Sequence, residues 1–487
     1  MGIAINRRKF LGLTGLMASA IVPAASGLVS AATYASALGQ SDIDCDVVII
    51  GAGLAGLTAA RKLAASHVNV VVLEAQDRVG GRTLTINPNS IFIDHGGQWV
   101  SPGQDQLMTL AGDLGVSLFD TWHTGAIVDW HDGKREIYTG QYPSYWSPAD
   151  KKAAADTVDC LEALAKTFPL EKPWSAPNAN LWDFETLDQW LATNVDSALA
   201  RSVVKRGILG VFDSGPGPLA FLAGLFVARS AQDLIRHFKP TGIDKRFIGG
   251  AQQISIKMAQ ALGDKVFLGA WVSQINHGPD GVQAIAGDLS VNAKHAVITL
   301  PPTIAGRVRY EPALPAARDH LTESTPMGWV IKVHCIYSSR FWLDQGLSGA
   351  VTSDQGAIRT TADNSPPSGS PAILVGFIEG AAARRLAAVP LQERMDAALA
   401  DFTRYFGKQA ASPDAYYEYS WGDDALSRGA YGGYWTQGLW TTYGPQLRTP
   451  IGRLHWAGTE TSPDWNGKME GAVRSGNAVA DEVLAAL

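Results

Sequence analysis

A two-domain α/β fold is what this sequence predicts, and three observations predict it. A β-branched run from Asp46 to Ile50 enters a glycine-rich turn, Gly51-Ala52-Gly53-Leu54-Ala55-Gly56. Leu57 to Ala65 then reads as a helix, and Val68 to Leu73 as a second buried strand ending at Glu74. The 487 residues exceed the roughly 100–200 of one domain. The alternation of strand and helix returns at Phe247, runs through Val266–Ile275 and Val282–Leu300, and ends in a helix from about Met469 to Leu487. Between these lies a mixed α+β stretch, with helices over Lys151–Phe168 and Leu191–Val204 and Pro/Trp-rich connectors from Pro169 to Trp182. Asp363 to Pro371 reads as an exposed loop.

The first unit is a βαβ turn with chemistry in it. Gly51 permits the tight turn, Gly53 lets backbone approach a pyrophosphate, and Gly56 lets the helix pack close to the strand. The helix start at Leu54 and Ala55 offers unpaired N–H groups and the positive end of its dipole to phosphate. Glu74, followed by Ala75, stands where an acid accepts hydrogen bonds from adenosine ribose hydroxyls. A Rossmann-type dinucleotide domain follows. Asp77-Arg78-Val79-Gly80-Gly81-Arg82-Thr83 adds backbone access and guanidinium groups suited to the pyrophosphate of FAD. Downstream, the Leu454–Trp456 strand turns at Gly458-Thr459-Glu460. The last helix, opened by Met469, can direct N–H groups at the negative charge a reduced flavin gathers.

These motifs, with Gly96-Gly97-Gln98-Trp99-Val100, Phe247-Ile248-Gly249-Gly250, Leu300-Pro301-Pro302, Met327 to Lys332 and Trp465 to Val473, resemble the flavin monoamine oxidases over nearly the whole chain after residue 44. The resemblance implies a two-domain FAD-dependent amine oxidase fold. Its FAD-binding domain is assembled from 44–118, 248–321 and 424–487, and its substrate domain from 119–247 and 322–423. It implies that Lys332 contacts the flavin through a water, that Tyr431 is one wall of an aromatic cage, and that the Val272 backbone meets the adenine. It also carries Gly97, Gln98, Trp99, Trp421 and Trp465 to the cofactor's neighbourhood. The implied reaction is oxidation of an amine to an imine by hydride transfer to FAD, the imine then hydrolysing to aldehyde or ketone. Oxygen, giving peroxide, or an electron carrier takes the electrons.

Three departures bear on substrate and cofactor. Ala430 stands where animal relatives attach FAD through a cysteine, so non-covalent FAD is expected. Lys468 replaces the second aromatic wall, and its charge repels an ammonium unless a carboxylate or the substrate compensates. It either faces the substrate or pairs with an acid such as Asp464. Ile243 replaces a polar glutamine. An L-amino-acid oxidase, whose substrate carboxylate would meet Lys468, is one alternative, and a catalytically idle FAD-binding protein is another.

Composition narrows partners and compartment. The net charge is −6, and residues 1–37 hold Arg7, Arg8 and Lys9 with no acid, so the remainder carries −9. An acidic surface excludes nucleic acid and anionic membrane as partners. Three scattered cysteines and ten histidines show no metal-ligand spacing, and no metal is expected. Asn6-Arg7-Arg8-Lys9-Phe10-Leu11, a weakly apolar stretch to Ala32 and small residues at Ala35-Ser36-Ala37 resemble a cleaved twin-arginine export signal spanning 1–37. A periplasmic enzyme with no stable membrane anchor is expected, its assembly open to a homodimer.

Overall fold

The computed structural model describes residues 3–5, 29–30, 41–209, 219–230 and 244–487. Arg7, Arg8, residues 35–37 and Ile243 lie outside the described residues.

Val47, Val48 and Ile49 are fully buried because both faces of the Ser41–Ile50 strand are covered. This strand runs parallel to Val70–Glu74 on one side and to Leu289–Ile298 on the other. Central strands of a parallel arrangement read as continuous apolar runs for this reason. Residues of the helices Leu54–Ala65, Gln252–Leu262 and Met469–Ala486 share one core cluster with Val47, Ile49, Val70 and Val72. Val48, Ile50, Val71 and Leu73, on the opposite face, join Ile275, Val282 and Ala305. Among the described residues the sheet has nine strands. Its order is Arg309–Glu311, Gln274–His277, Val282–Ala286, Leu289–Ile298, Ser41–Ile50, Val70–Glu74, Val266–Leu268 and Val29–Ser30, with Leu454–Trp456 added beside Leu289–Ile298.

A second sheet, of eight described strands, runs Ile3–Ile5, Ala415–Ser420, Val330–Tyr337, Ala372–Glu379, Ile358–Asp363, Leu347–Ser353, Ala126–His131 and Lys134–Tyr138. The Val330–Tyr337 strand lies inside it and is buried at every position. Lys332, which pattern alone would read as an exposed strand lysine, is therefore 4% exposed. The helices Gly380–Ala387 and Leu391–Phe406 cover one face of this sheet with Ala383, Leu386, Met395 and Phe402. A third, helical cluster packs Pro148–Ala165, Ala198–Leu209 and Phe221–Ser230 against Trp435 and Trp440.

Two expectations are corrected. The Leu191–Val204 helix is two helices, Leu187–Asn194 and Ala198–Leu209. A Thr186–Gln189 capping box starts the first early, Val195 is extended, and the Ser197 hydroxyl accepts from Ala200 N–H to start the second. The exposed loop expected at Asp363–Pro371 begins buried. Asp363 accepts from Trp342 Nε1 at 3.1 Å, and Asn364 accepts from both Gln98 and Arg246. Among the described residues no helix is long and apolar enough to cross a membrane.

Candidate functional site

One cavity of about 870 Å³ runs from Glu74 and Val272, past the glycine turns, to Lys332, Tyr431 and Lys468. At its near end the βαβ geometry leaves room where a phosphate chain needs it. Gly51 has φ +106, and a Cβ on Gly56 would lie 2.0 Å from Gly51 O, so both positions exclude a side chain. A Cβ on Gly53 would meet nothing within 4 Å, because that face opens into the cavity. The helix after it has no side-chain cap and no acid in its first turn, so the N–H groups of Leu54 and Ala55 face the cavity uncommitted within the helix. Glu74 accepts from Ala52 N–H at 2.7 Å and from Gln76 N–H at 2.9 Å, and burial raises its pKa against those bonds. Its carboxylate reaches the cavity wall beside Ala75. These residues fit a dinucleotide whose pyrophosphate meets the helix start and whose ribose meets Glu74.

The two arginines have protein partners that their local sequence does not announce. Arg82 lines the cavity, and its guanidinium holds Glu460 bidentately, at 2.6 and 3.0 Å, and donates to Tyr431 O at 2.7 Å. Glu460 also accepts from Gly433 N–H at 3.1 Å and lies behind the wall. Arg82 thus joins the Gly80-Gly81 turn to the Tyr431 segment and gives the buried Glu460 carboxylate its cation. Arg78 is outside the wall and donates to Gly81 O at 3.1 Å, bracing that turn from behind. Gly56 is likewise a packing position behind the wall.

At the far end Lys332 donates to Gly96 O at 2.9 Å and Gln98 Oε1 at 2.6 Å, while Gln98 donates to Asn364. Its ammonium lies 5.2 Å from the Trp99 ring centre and 5.8 Å from that of Phe377. Burial lowers its pKa to about 7, with Asp94 opposing the shift. Two buried histidines nearby, His95 and His334, stay neutral; burial, aided by Lys332, lowers the first to about 3 and the second well below its usual value. Trp421 donates its Nε1 to His95 O at 2.9 Å and forms wall together with Gly97, Ala430 and Tyr431. A Cβ on Gly97 would approach Met469 Cγ to 3.1 Å, a contact to which the methionine side chain would have to yield. Gly458, Thr459 and Met469 complete this end, with Thr459 Oγ1 donating to Lys468 O.

Lys468 lines the cavity, and the acids that act on it are Glu379 and Asp244. The Asp464 pairing is not formed; Asp464 instead offers its backbone carbonyl to Ser462. Burial lowers the Lys468 pKa and the two carboxylates oppose that shift. Tyr431 OH donates to Glu379 Oε1 at 3.2 Å, and Asp244 Oδ1 accepts from Ser101 at 2.6 Å. Sequence reasoning missed both acids. Glu379 closes an apolar strand and carries no local signature, so only strand pairing brings it to the site. Away from the cavity's far end, half-buried His131 meets Asp132 and Asp354, the only cluster of three His, Cys or acid side chains spaced to hold a metal among the described residues.

Residues 54–484 match the sequence pattern described as flavin containing amine oxidoreductase. The chain is similar to a probable flavin-containing monoamine oxidase A of Dictyostelium discoideum, 35% identical over 90% of this chain and 97% of that one. It is 32% identical to an L-amino acid dehydrogenase of Synechocystis, over 91% of this chain and 95% of the other. Among solved structures it resembles putrescine oxidase bound to putrescine, with TM-score 0.87 and 34% identity over 91% of this chain and 100% of that one. It also resembles cyclohexylamine oxidase from Brevibacterium oxydans, with TM-score 0.85 and 32% identity over 91% and 99% of the two chains.

Proposed function

This chain belongs to the flavin-containing amine oxidoreductases and performs FAD-dependent amine oxidation, and from the cavity we propose how its residues divide the work. The carrying observation is the single cavity that joins a phosphate cradle at Gly53 to a buried lysine and a tyrosine wall. When bound, FAD supplies the hydride acceptor that turns the amine into an imine. The helix start at Leu54 and Ala55 holds the pyrophosphate, Glu74 the adenosine ribose, and the Val272 backbone the adenine. Trp421, Tyr431 and Trp99 wall the reacting end and exclude water, which favours the neutral amine. Lys332, anchored by Gly96 and Gln98, keeps one further hydrogen-bonding position for a water at the cavity's reacting end.

FAD is held without a covalent bond, since Ala430 offers no sulfur and none of Cys45, Cys160 and Cys335 lines the cavity. The FAD-binding domain comprises 44–118, 248–321 and 424–487, and the substrate domain 119–247 and 322–423. Oxygen or an electron carrier reoxidises the cofactor, and the enzyme works in the periplasm after twin-arginine export. Lys468 gives an amino acid substrate a partner for its carboxylate, and with the likeness to an L-amino acid dehydrogenase this favours an L-amino-acid oxidase. Glu379 and Asp244 beside it favour the amine. Anaerobic mixing with aryl-alkyl amines, polyamines, cyclic amines and amino acids decides between them. Bleaching of the flavin by amines is expected; bleaching by amino acids alone would replace this reading, and bleaching by none would leave an idle flavoprotein.

A further inference from the structure

An alkyl amine reaches this cavity as an ammonium with a pKa near that of lysine, roughly 10.4, so at neutral pH only about one molecule in 2,500 is in the form that can lose hydride. A proton acceptor at the reacting end would remove that handicap. The geometry points to Glu379 as that acceptor, with Tyr431 orienting it and the Lys468 side chain beside it; this rests on the amine oxidation reading.

Glu379 ends the Ala372–Glu379 strand opposite Val330, as Phe377 stands opposite Lys332. Residues two apart on a strand share a face, so Glu379 is aimed at the same end of the cavity as Phe377, which lies over Lys332. Tyr431 OH donates to its Oε1 at 3.2 Å, which places the carboxylate against the cage wall where the amine must sit. The groups facing this region from neighbouring elements are Tyr431 from its loop, Lys468 from the start of the last helix, Asp244 beyond it, and Lys332 on the adjacent strand. The two lysines and two carboxylates balance when all are ionised, so it is the placing of Glu379, and not a net charge of the cluster, that draws an arriving ammonium to it. In the step itself an N–H bond of the ammonium breaks and an O–H bond forms on Glu379. The neutral amine remains bound, and the proton later leaves to water through the cavity mouth. No electrons move in this step.

The test follows flavin bleaching by the best amine of the panel across pH. Glu379→Gln should retain FAD yet reduce on the order of a hundredfold more slowly near neutral pH, the usual worth of a general base. The loss should shrink as pH approaches the amine's own pKa, and be smaller for a fluorinated amine of lower basicity. A uniform loss at every pH and for both amines would make Glu379 a shaping residue only. A second readout needs no turnover. An amine lacking an α-hydrogen should bind the wild type without releasing a proton to buffer, by calorimetry in two buffers of different ionisation heat, but should release close to one on binding Glu379→Gln. Equal release by both proteins would overturn the assignment. If Glu379→Gln does not fold, Lys468→Met serves instead, because losing that cation should move the acid limb of kcat/KM to higher pH, and an unmoved limb overturns the proposal. A wild type that no amine bleaches fails at the earlier step and sinks the amine reading together with this one.

Discussion

Lys332 has two fixed acceptors, Gly96 O and Gln98 Oε1, and a pKa lowered to about 7 by burial. Below that pH its third N–H can donate; above it a lone pair takes that place. Unfolding returns the side chain to water and to roughly 10.4. The unfolded chain therefore holds an extra proton between pH about 7 and that value, and stability rises with pH through this window. Lys332→Met, near-constant in volume, should consequently raise the melting temperature most below pH about 7 and least near pH about 10. The same variant should bind FAD but lose on the order of tenfold or more in flavin reduction or reoxidation, the scale of one well-placed donor. Wild-type rates in both half-reactions would reduce Lys332 to a structural lysine. Ala430 makes a second expectation at this scale: acid precipitation should leave yellow FAD in the supernatant, and flavin pelleting with protein would refute non-covalent binding. Lys332 and Tyr431 were legible in the sequence because each sits in a distinctive local string. Glu379 was not, because its meaning comes from register, Val330 across the sheet and a tyrosine 52 residues away.

Among elements, the glycine turn and the last helix were readable because their geometry is local. The Arg82–Glu460 clamp was not, since its two ends stand 378 residues apart. Reading Arg82 from its own neighbours assigned it to phosphate; the structure pairs its guanidinium with a buried carboxylate while the residue lines the same cavity. Arg82→Ala should strand Glu460, whose side chain is 2% exposed, and cost about 3 kcal/mol in denaturant unfolding, the lower end for breaking a buried pair. It should also loosen the Tyr431 segment, so FAD affinity and kcat should fall together. Unchanged stability would mean that the clamp is replaceable by water. The split of the Leu191–Val204 helix has a similar lesson: apolar periodicity runs through Val195, and only the Ser197 cap reveals the restart.

At the scale of the molecule, the α/β class and the amine oxidase fold were legible because repeated motifs fall along most of the chain. The order of strands was not, since the Leu454–Trp456 strand joins the same sheet as Ser41–Ile50, about 400 residues earlier in the chain. Export is the expectation that belongs here. Replacing Arg7 and Arg8 by Lys should leave folded, FAD-loaded enzyme in the cytoplasm, as fractionated activity would show; undiminished periplasmic activity would remove the twin-arginine assignment.

The last helix packs so tightly on the first that a Cβ on Gly476 would come within 2.4 Å of Ala55 O. Protein synthesis runs at roughly 5–20 residues per second, so the partner of Arg82 emerges roughly 20–75 s after Arg82 itself. Throughout that interval the nascent chain owns half a cradle, with the Gly53 turn made and the Gly458–Met469 wall still to come. Cofactor capture is therefore expected only once the Gly458–Met469 wall has emerged. A chain arrested before Gly458 should emerge colourless however much flavin surrounds it.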